Sequence, residues 1–281
     1  MITIVTAYFD IGRGSWKSFS RSTDEYFRNF SRLCYLENDL ILFTESKHEP
    51  RLKKYTKTNL KVIYFDLIFK ENEELLNKIQ KIQQSDTFKD GILSPNCPEY
   101  FSPHYVLINS LKSFFCNKEM QMDLVDKKNS NLLAWLDFGY LRKNFQLPYS
   151  LKWDYNFTQK IHLFSLLPIE GDFDKNRILK IVKSNEVYIQ GCHIIAPLKL
   201  WHKLETLVKE SLMNLIEDGL VDDDQTLLLM AYLKSKNDFE IHPAKLDKKL
   251  GWFFIFKHYN NCEKSVPFKK RINFYFKTLF A

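Results

Sequence analysis

The chain opens on an unbroken apolar run, ITIVTAYF (residues 2–9), rich in β-branched residues and followed at once by the polar turn DIGRGSW. A short run of this kind predicts a buried strand. Residues 18–36 place aromatics at Phe19, Tyr26, Phe27 and Phe30, a helical spacing. NDLILFTES (38–46) and LKVIYFDL (60–67) predict a second and a third strand, with a basic, polar loop between them. Residues 71–84 predict a polar helix, 94–103 a proline-punctuated loop, and 105–120 a helix whose apolar face is offered by Val106, Leu107, Leu111, Phe114 and Phe115. NLLAWLDFG (131–139) then predicts a fourth strand.

Strands that alternate with helices argue for an α/β fold, with a mostly parallel central sheet flanked by helices. Ligands of such sheets bind beyond the carboxyl ends of the strands. Asp10 ends the first strand and Asp137 the fourth, so both are expected on that edge. The second half continues with EVYIQGCHIIAP (186–197), a strand interrupted by Gly191. Pro197 opens a long helix to about residue 217, and residues 222–234 form another. DFEIHP (238–243) is a short strand, and GWFFIFKHYN (251–260) a last aromatic strand that brings His258 to its end. No repeat or linker divides the chain. One domain over residues 1–261 is expected, with halves at 1–140 and 141–261, followed by a basic aromatic tail at 262–281.

Charge changes this picture only at that end. The chain has 281 residues and a net charge of +7; residues 243–281 hold eight Lys and one Arg against Asp247 and Glu263, so the entire excess sits there. The tail segment FKKRINFYFKTLF interleaves basic and aromatic residues, which suits an anionic membrane surface. A nucleic-acid partner has only this charge to support it, with no fold signature, and is not expected. The five cysteines form no C-x-x-C pair and no leader precedes them, so a reduced, cytoplasmic protein is expected. No apolar run approaches the length of a membrane span.

The candidate chemistry sits at turns. DIGRGSW carries Gly12 and Gly14 but no G-K-[ST], and Lys17 stands where a third glycine would complete G-x-G-x-x-G. That excludes a P-loop or dinucleotide loop of the usual kind. The same turn offers Arg13, Lys17 and Arg21, and guanidinium forks fit phosphate oxygens. Asp137 follows an apolar strand, and a carboxylate in such surroundings needs donors or a metal. VDDDQTLL sets three carboxylates before a helix. Asp222 with Gln225 reads as a capping box, which leaves Asp223 and Asp224 as candidates for a general base. His258 is a candidate ligand for Mn²⁺ or Zn²⁺. Cys192 and His193 are expected on opposite faces of a strand and are set aside as a metal pair. No Ser-His-Asp arrangement and no H-E-x-x-H motif appears.

TIVTAYFDIGRGSW, then Arg21 with EYFRNF, and WLDFG together resemble the HtrL/YibB family of bacterial proteins, over most of the chain to about residue 260. The family is associated with surface-polysaccharide and lipopolysaccharide-core gene clusters, and itself resembles glycosyltransferases of the GT-A type. The resemblance implies a nucleoside-diphosphate sugar donor and a saccharide or lipid-linked saccharide acceptor. It also implies a divalent metal, Mn²⁺ or Mg²⁺, held by Asp137 as the first acid of an Asp-x-Asp motif. Here Gly139 replaces the second acid, and His258 matches a late histidine ligand by position in the chain. Asp10, Arg13, Lys17, Arg21 and Asp137 would hold the donor. Gly191, Trp201 and Gln225 would face the acceptor, with Asp223 or Asp224 as base. The expected protein is a cytoplasmic glycosyltransferase at the inner face of the inner membrane that extends a bacterial surface glycan. The alternative is a non-catalytic glycan- or membrane-surface-binding protein that retains the fold.

Overall fold

The computed structural model describes residues 2–55, 59–122, 131–246 and 248–264. Seven strands form one sheet in the order β3-β2-β1-β4-β6-β5-β7. They are β1 (Ile2–Tyr8), β2 (Leu40–Thr44), β3 (Leu60–Tyr64), β4 (Leu132–Leu136), β5 (Ile161–Ser165), β6 (His193–Pro197) and β7 (Phe239–Pro243). β1, β2, β3 and β4 run parallel; β6 runs antiparallel to β4 and β5; β7 runs parallel to β5. The mostly parallel, helix-flanked α/β sheet expected from the sequence is therefore observed.

The apolar runs of β1 and β4 are unbroken because both faces of the sheet are covered. Val5, Ala7, Leu133 and Trp135 enter one core, beneath the helices Pro103–Ser110, Lys112–Gln121, Trp201–Glu217 and Asp224–Lys234. Ile2, Ile4, Tyr8, Ala134 and Leu136 enter the other, with Phe27, Phe30, Trp153 and Phe254. Asn38 ties the second core to the sheet: its amide donates to the carbonyls of Ile2 and Trp153 at 2.8 and 2.7 Å, and its oxygen accepts from the Trp153 N–H at 2.8 Å.

Several elements differ from expectation. The first helix spans Thr23–Leu33, because the Ser22 hydroxyl caps it by accepting the Glu25 N–H at 3.1 Å. The helix expected over 105–120 breaks at Leu111 into two, so that Lys112 starts a new helix. Only His193–Pro197 of the run 186–197 is a regular strand. The aromatic segment 251–260 is not a strand: it turns into the short helix Ile255–His258, whose Ile255 and Phe256 fill the second core. Its aromatics mark burial rather than pleat. β5 and the helix Lys175–Ser184 are additional elements. The basic tail lies outside the described residues from 265 onward. Among the described residues, no helix is long and apolar enough to cross a membrane.

Candidate functional site

A cavity of about 540 Å³ opens at the carboxyl ends of β1 and β4. Its floor is the end of β1 (Ala7 to Asp10) and the turn Asp137 to Tyr140 that leaves β4. One wall is the helix Pro103–Ser110 with Lys112, and the other carries Arg21, Tyr26, Arg142, Trp252 and Phe253. Gly191, Cys192 and Asp223 to Gln225 close its far side. The position is the one where open α/β sheets gather ligands, in the crevice beyond the carboxyl ends of the strands.

At its base Lys112 bridges two carboxylates. The ammonium lies 2.9 Å from Asp137 Oδ1, 2.8 Å from Asp224 Oδ2 and 2.9 Å from the Gly191 carbonyl. Lys112 is 5% exposed and Asp224 4%, so neither charge has water to satisfy it, and each depends on the other. Burial works to lower the Lys112 pKa, yet the carboxylates of Asp137 and Asp224 outweigh it and hold the ammonium above the ordinary lysine value. Asp137 Oδ1 also accepts the Trp135 indole N–H at 2.9 Å, and its backbone N–H donates to the Cys192 carbonyl at 3.1 Å.

Gly191 permits this cluster. A Cβ built there would stand 1.5 Å from Asp224 Oδ2, closer than any side chain could tolerate. Asp224 opens the helix Asp224–Lys234, and Asp223 caps it by accepting the Gln225 N–H at 3.0 Å. The expected cap from Asp222 to Gln225 is thus made by Asp223. Asp222 instead accepts the Asp223 N–H at 2.9 Å and the Thr226 hydroxyl at 2.6 Å. Burial raises all three acids: Asp222 to about 7, with Glu99 adding to it, and Asp223 well above the usual range, pushed further by Asp224 and Asp222. Asp224 is also raised by burial, but Lys112 opposes the shift. Asp224 is therefore the acid of the three best placed to keep its charge.

Three guanidiniums face the same space. Arg13 donates to the Phe19 carbonyl at 2.8 Å and to the Tyr26 hydroxyl at 3.0 Å, which fixes it beside the first turn. Arg21 lies over the Tyr26 ring at 5.0 Å. Arg142 lies over Phe253 at 4.6 Å, and burial, together with the charge of Arg21, lowers its pKa. Glu25, four residues on, pairs with Arg21 at 3.6 Å from the partly exposed side of the helix. Asp10 shapes the turn: its carboxylate accepts the Gly12 N–H at 3.0 Å, and Gly12 takes φ 73°, a left-handed conformation that suits glycine.

The cavity gathers Asp10, Arg13, Arg21, Asp137, Gly191, Asp223, Asp224 and Gln225 from the residues read in the sequence. It does not gather three others. Lys17 is exposed outside the lining. Trp201 is fully buried and donates its indole N–H to the Ala196 carbonyl at 3.3 Å, which makes it a core residue. His258 is exposed on its short helix, because the segment expected as a strand turns away before reaching the edge. Cys192 and His193 are not on opposite faces either: Sγ and Nδ1 are 3.3 Å apart, since β6 begins only at His193 and strand alternation does not govern Cys192.

A divalent ion on Asp137 needs further oxygen or nitrogen ligands around it. Gly139 supplies no side chain, His258 is elsewhere, and Lys112 already lies against Oδ1. These residues do not fit a metal at Asp137. Among the described residues, three potential ligands gather instead at His162, Glu240 and His242, outside the cavity lining. Sequence reasoning missed Lys112 and Arg142. Lys112 had one signal, a lone cation in the apolar stretch LINSLKSFFC.

Residues 1–261 match the family described as "Bacterial protein of unknown function (HtrL_YibB)". Protein HtrL of Escherichia coli (strain K12) is 35% identical over 266 residues, covering 91% of each chain. Among solved structures, a galactosyltransferase LgtC in complex with donor and acceptor sugar analogs is similar with a TM-score of 0.44 and 13% identity, over 87% of this chain and 73% of that one. A 4-diphosphocytidyl-2C-methyl-D-erythritol synthase from Anaerococcus prevotii is similar with a TM-score of 0.38 and 13% identity, over 99% and 98%.

Proposed function

The chain belongs to the HtrL_YibB family, and from that premise we propose that it is a glycosyltransferase of the GT-A type. It would move a sugar from a nucleoside diphosphate to a saccharide or lipid-linked saccharide of a bacterial surface glycan. The observation that carries this reading is the cavity itself, where three guanidiniums face an Asp137–Lys112–Asp224 cluster whose Lys112 and Asp224 are buried and whose Asp137 is open to the cavity. An anion suits the first group and a hydroxyl proton suits the second.

In the proposed reaction the acceptor oxygen attacks the anomeric carbon as the bond from that carbon to the diphosphate oxygen breaks. The diphosphate leaves with the bonding electrons, and Arg13, Arg21 and Arg142 stabilise the charge that develops on it. The acceptor proton passes to Asp224, whose carboxylate is held in place by Lys112 and by the close approach to Gly191. A base on the acceptor side implies inversion at the anomeric carbon. The tail would add contact with an anionic membrane surface near a lipid-linked acceptor.

The test is release of nucleoside diphosphate from a panel of sugar nucleotides, with and without added saccharides. One donor should be turned over, and Asp224→Asn should slow it by about 10²–10⁴-fold, the usual effect of losing a general base. Turnover undiminished in Asp224→Asn would remove Asp224 from the chemistry. The ion pair that Lys112 makes with Asp137 favours a second reading, in which the cavity binds a glycan without catalysis. Saccharide binding with no turnover of any donor would support it.

A further inference from the structure

β7 is the outer strand of the sheet and pairs in parallel with β5, with His162 opposite Glu240 and Phe164 opposite His242. Side chains two apart on a strand share a face, so His162, Glu240 and His242 stand together on one side. One ligand atom from each lies within 4.8 Å of the others.

Their hydrogen bonds fix which atoms are available. His162 is fully buried, and its Nε2 is 3.0 Å from the Thr158 carbonyl. A carbonyl can only accept, so Nε2 carries the proton and Nδ1 presents a lone pair. That Nδ1 lies 2.8 Å from His242 Nε2. Glu240 accepts the Thr158 hydroxyl through Oε2, while its Oε1 is 3.7 Å from His242 Nε2. Thr158 thus orients two of the three groups, through its carbonyl and its hydroxyl. Outer partners of this kind are the usual accompaniment of ligating imidazoles and carboxylates. The side chains of His242 and Glu240 are 16% and 37% exposed, which leaves an entry path from solvent.

We propose that His162 Nδ1, His242 Nε2 and Glu240 form a binding site for a borderline divalent transition-metal ion, Zn²⁺ or Co²⁺, which clamps β7 to β5. Two nitrogens and one carboxylate suit such an ion, while Mg²⁺ and Ca²⁺ take oxygen ligands. A tetrahedral ion about 2.0–2.1 Å from each nitrogen sets them roughly 3.3 Å apart, so the imidazoles part by about half an ångström. The ion takes the place of the proton between them. His242 shifts that proton to Nδ1, so no net proton is released, and water fills the fourth position. The site is separate from the cavity and does not rest on the glycosyltransferase reading.

The experiment uses the untagged full chain, stripped with a chelator and titrated with Zn²⁺ and then Co²⁺ by calorimetry and thermal melting. Expected are one Zn²⁺ per chain, a higher melting temperature, and a visible Co²⁺ spectrum of tetrahedral type. His242→Gln and Glu240→Gln, at the exposed edge, should lose that site while melting normally without metal. Thr158→Val should weaken Zn²⁺ by about 10–100-fold, as outer-partner losses do. Because His162 is buried, its substitution is not needed. Zn²⁺ binding that is absent in the wild type, or equal in wild type and His242→Gln, would overturn the proposal and leave a plain imidazole–imidazole hydrogen bond.

Discussion

At the carboxyl edge of β1 and β4, two carboxylates share one buried ammonium; at the outer edge of the sheet, two imidazoles and a carboxylate converge with a shared proton between the rings. Both clusters are polar groups set against an apolar core. They differ in what completes them. The first has brought its own cation, Lys112, which satisfies Asp137 and Asp224, while the guanidiniums of Arg13, Arg21 and Arg142 line the same cavity. The second has nitrogens and an oxygen turned toward one point, and a cation is what would complete it. An acid at a strand end therefore says little about metal by itself. The charge already held beside it decides.

The largest expected effect breaks the first cluster. Lys112→Met leaves two carboxylates without their cation, one of them deeply buried. Removing one partner of a buried pair costs about 3–5 kcal/mol, read as a lower midpoint in urea unfolding. If the midpoint holds, Lys112 is not the counter-charge that the geometry implies. Gly191→Ala follows. Its Cβ would meet the Asp224 carboxylate at 1.5 Å, and relief of the clash costs about 1–3 kcal/mol. It should also displace Asp224 and lower turnover, which kinetics on the folded variant would detect.

Acidity gives a third test. The Asp222 carboxyl is pushed up to about 7 from an ordinary 3.8. Between those values the native chain holds a proton that the unfolded chain has released. Stability should therefore fall as pH rises from about 4 to about 7. Asp222→Asn should flatten that decline in denaturant melts taken across the range. A slope unchanged by the substitution would assign the proton to another group. The smallest effects separate the clusters. Arg142→Ala removes one charged donor and should weaken a nucleoside diphosphate by about tenfold or more, the scale of a charge-assisted hydrogen bond. His242→Gln should leave that affinity unchanged, and Arg142→Ala should leave Zn²⁺ binding unchanged. Any crossover in calorimetry would mean that the two regions are not independent.

The sequence made the first half legible and the second half less so. β1, β2 and β4 stand out because both faces are covered, so their apolar runs are unbroken. β3 is legible by its β-branched residues although it is a half-exposed outer strand, and the turns after β1 and β4 place Asp10 and Asp137 on one edge. Asp223 and Asp224 were legible as a surplus of acid over what a helix cap requires. Lys112 was not, because nothing in linear spacing says that residue 112 faces residues 137 and 224. Three partners from distant segments meet only through the sheet order. His258 misled because an aromatic-rich run reads equally as a strand or as buried core, and here it is core. The His162–Glu240–His242 group depends on the pairing of β5 with β7 across nearly 80 residues, and β5 itself is a short run, IHLFS, without a turn signal to set it off.

The most direct test of the central claim is a thermal-shift screen of nucleoside diphosphates and their sugars, with and without Mn²⁺, on wild type, Asp137→Ala and Arg142→Ala. A ligand that binds only the folded state at about a hundred times its Kd adds about 2.7 kcal/mol of stability. One nucleoside diphosphate should raise the wild-type melting temperature, also in the presence of a chelator, and raise it less in both variants. If no nucleotide moves the melting temperature of the wild type, the cavity at β1 and β4 is not a donor site, and the glycosyltransferase reading fails.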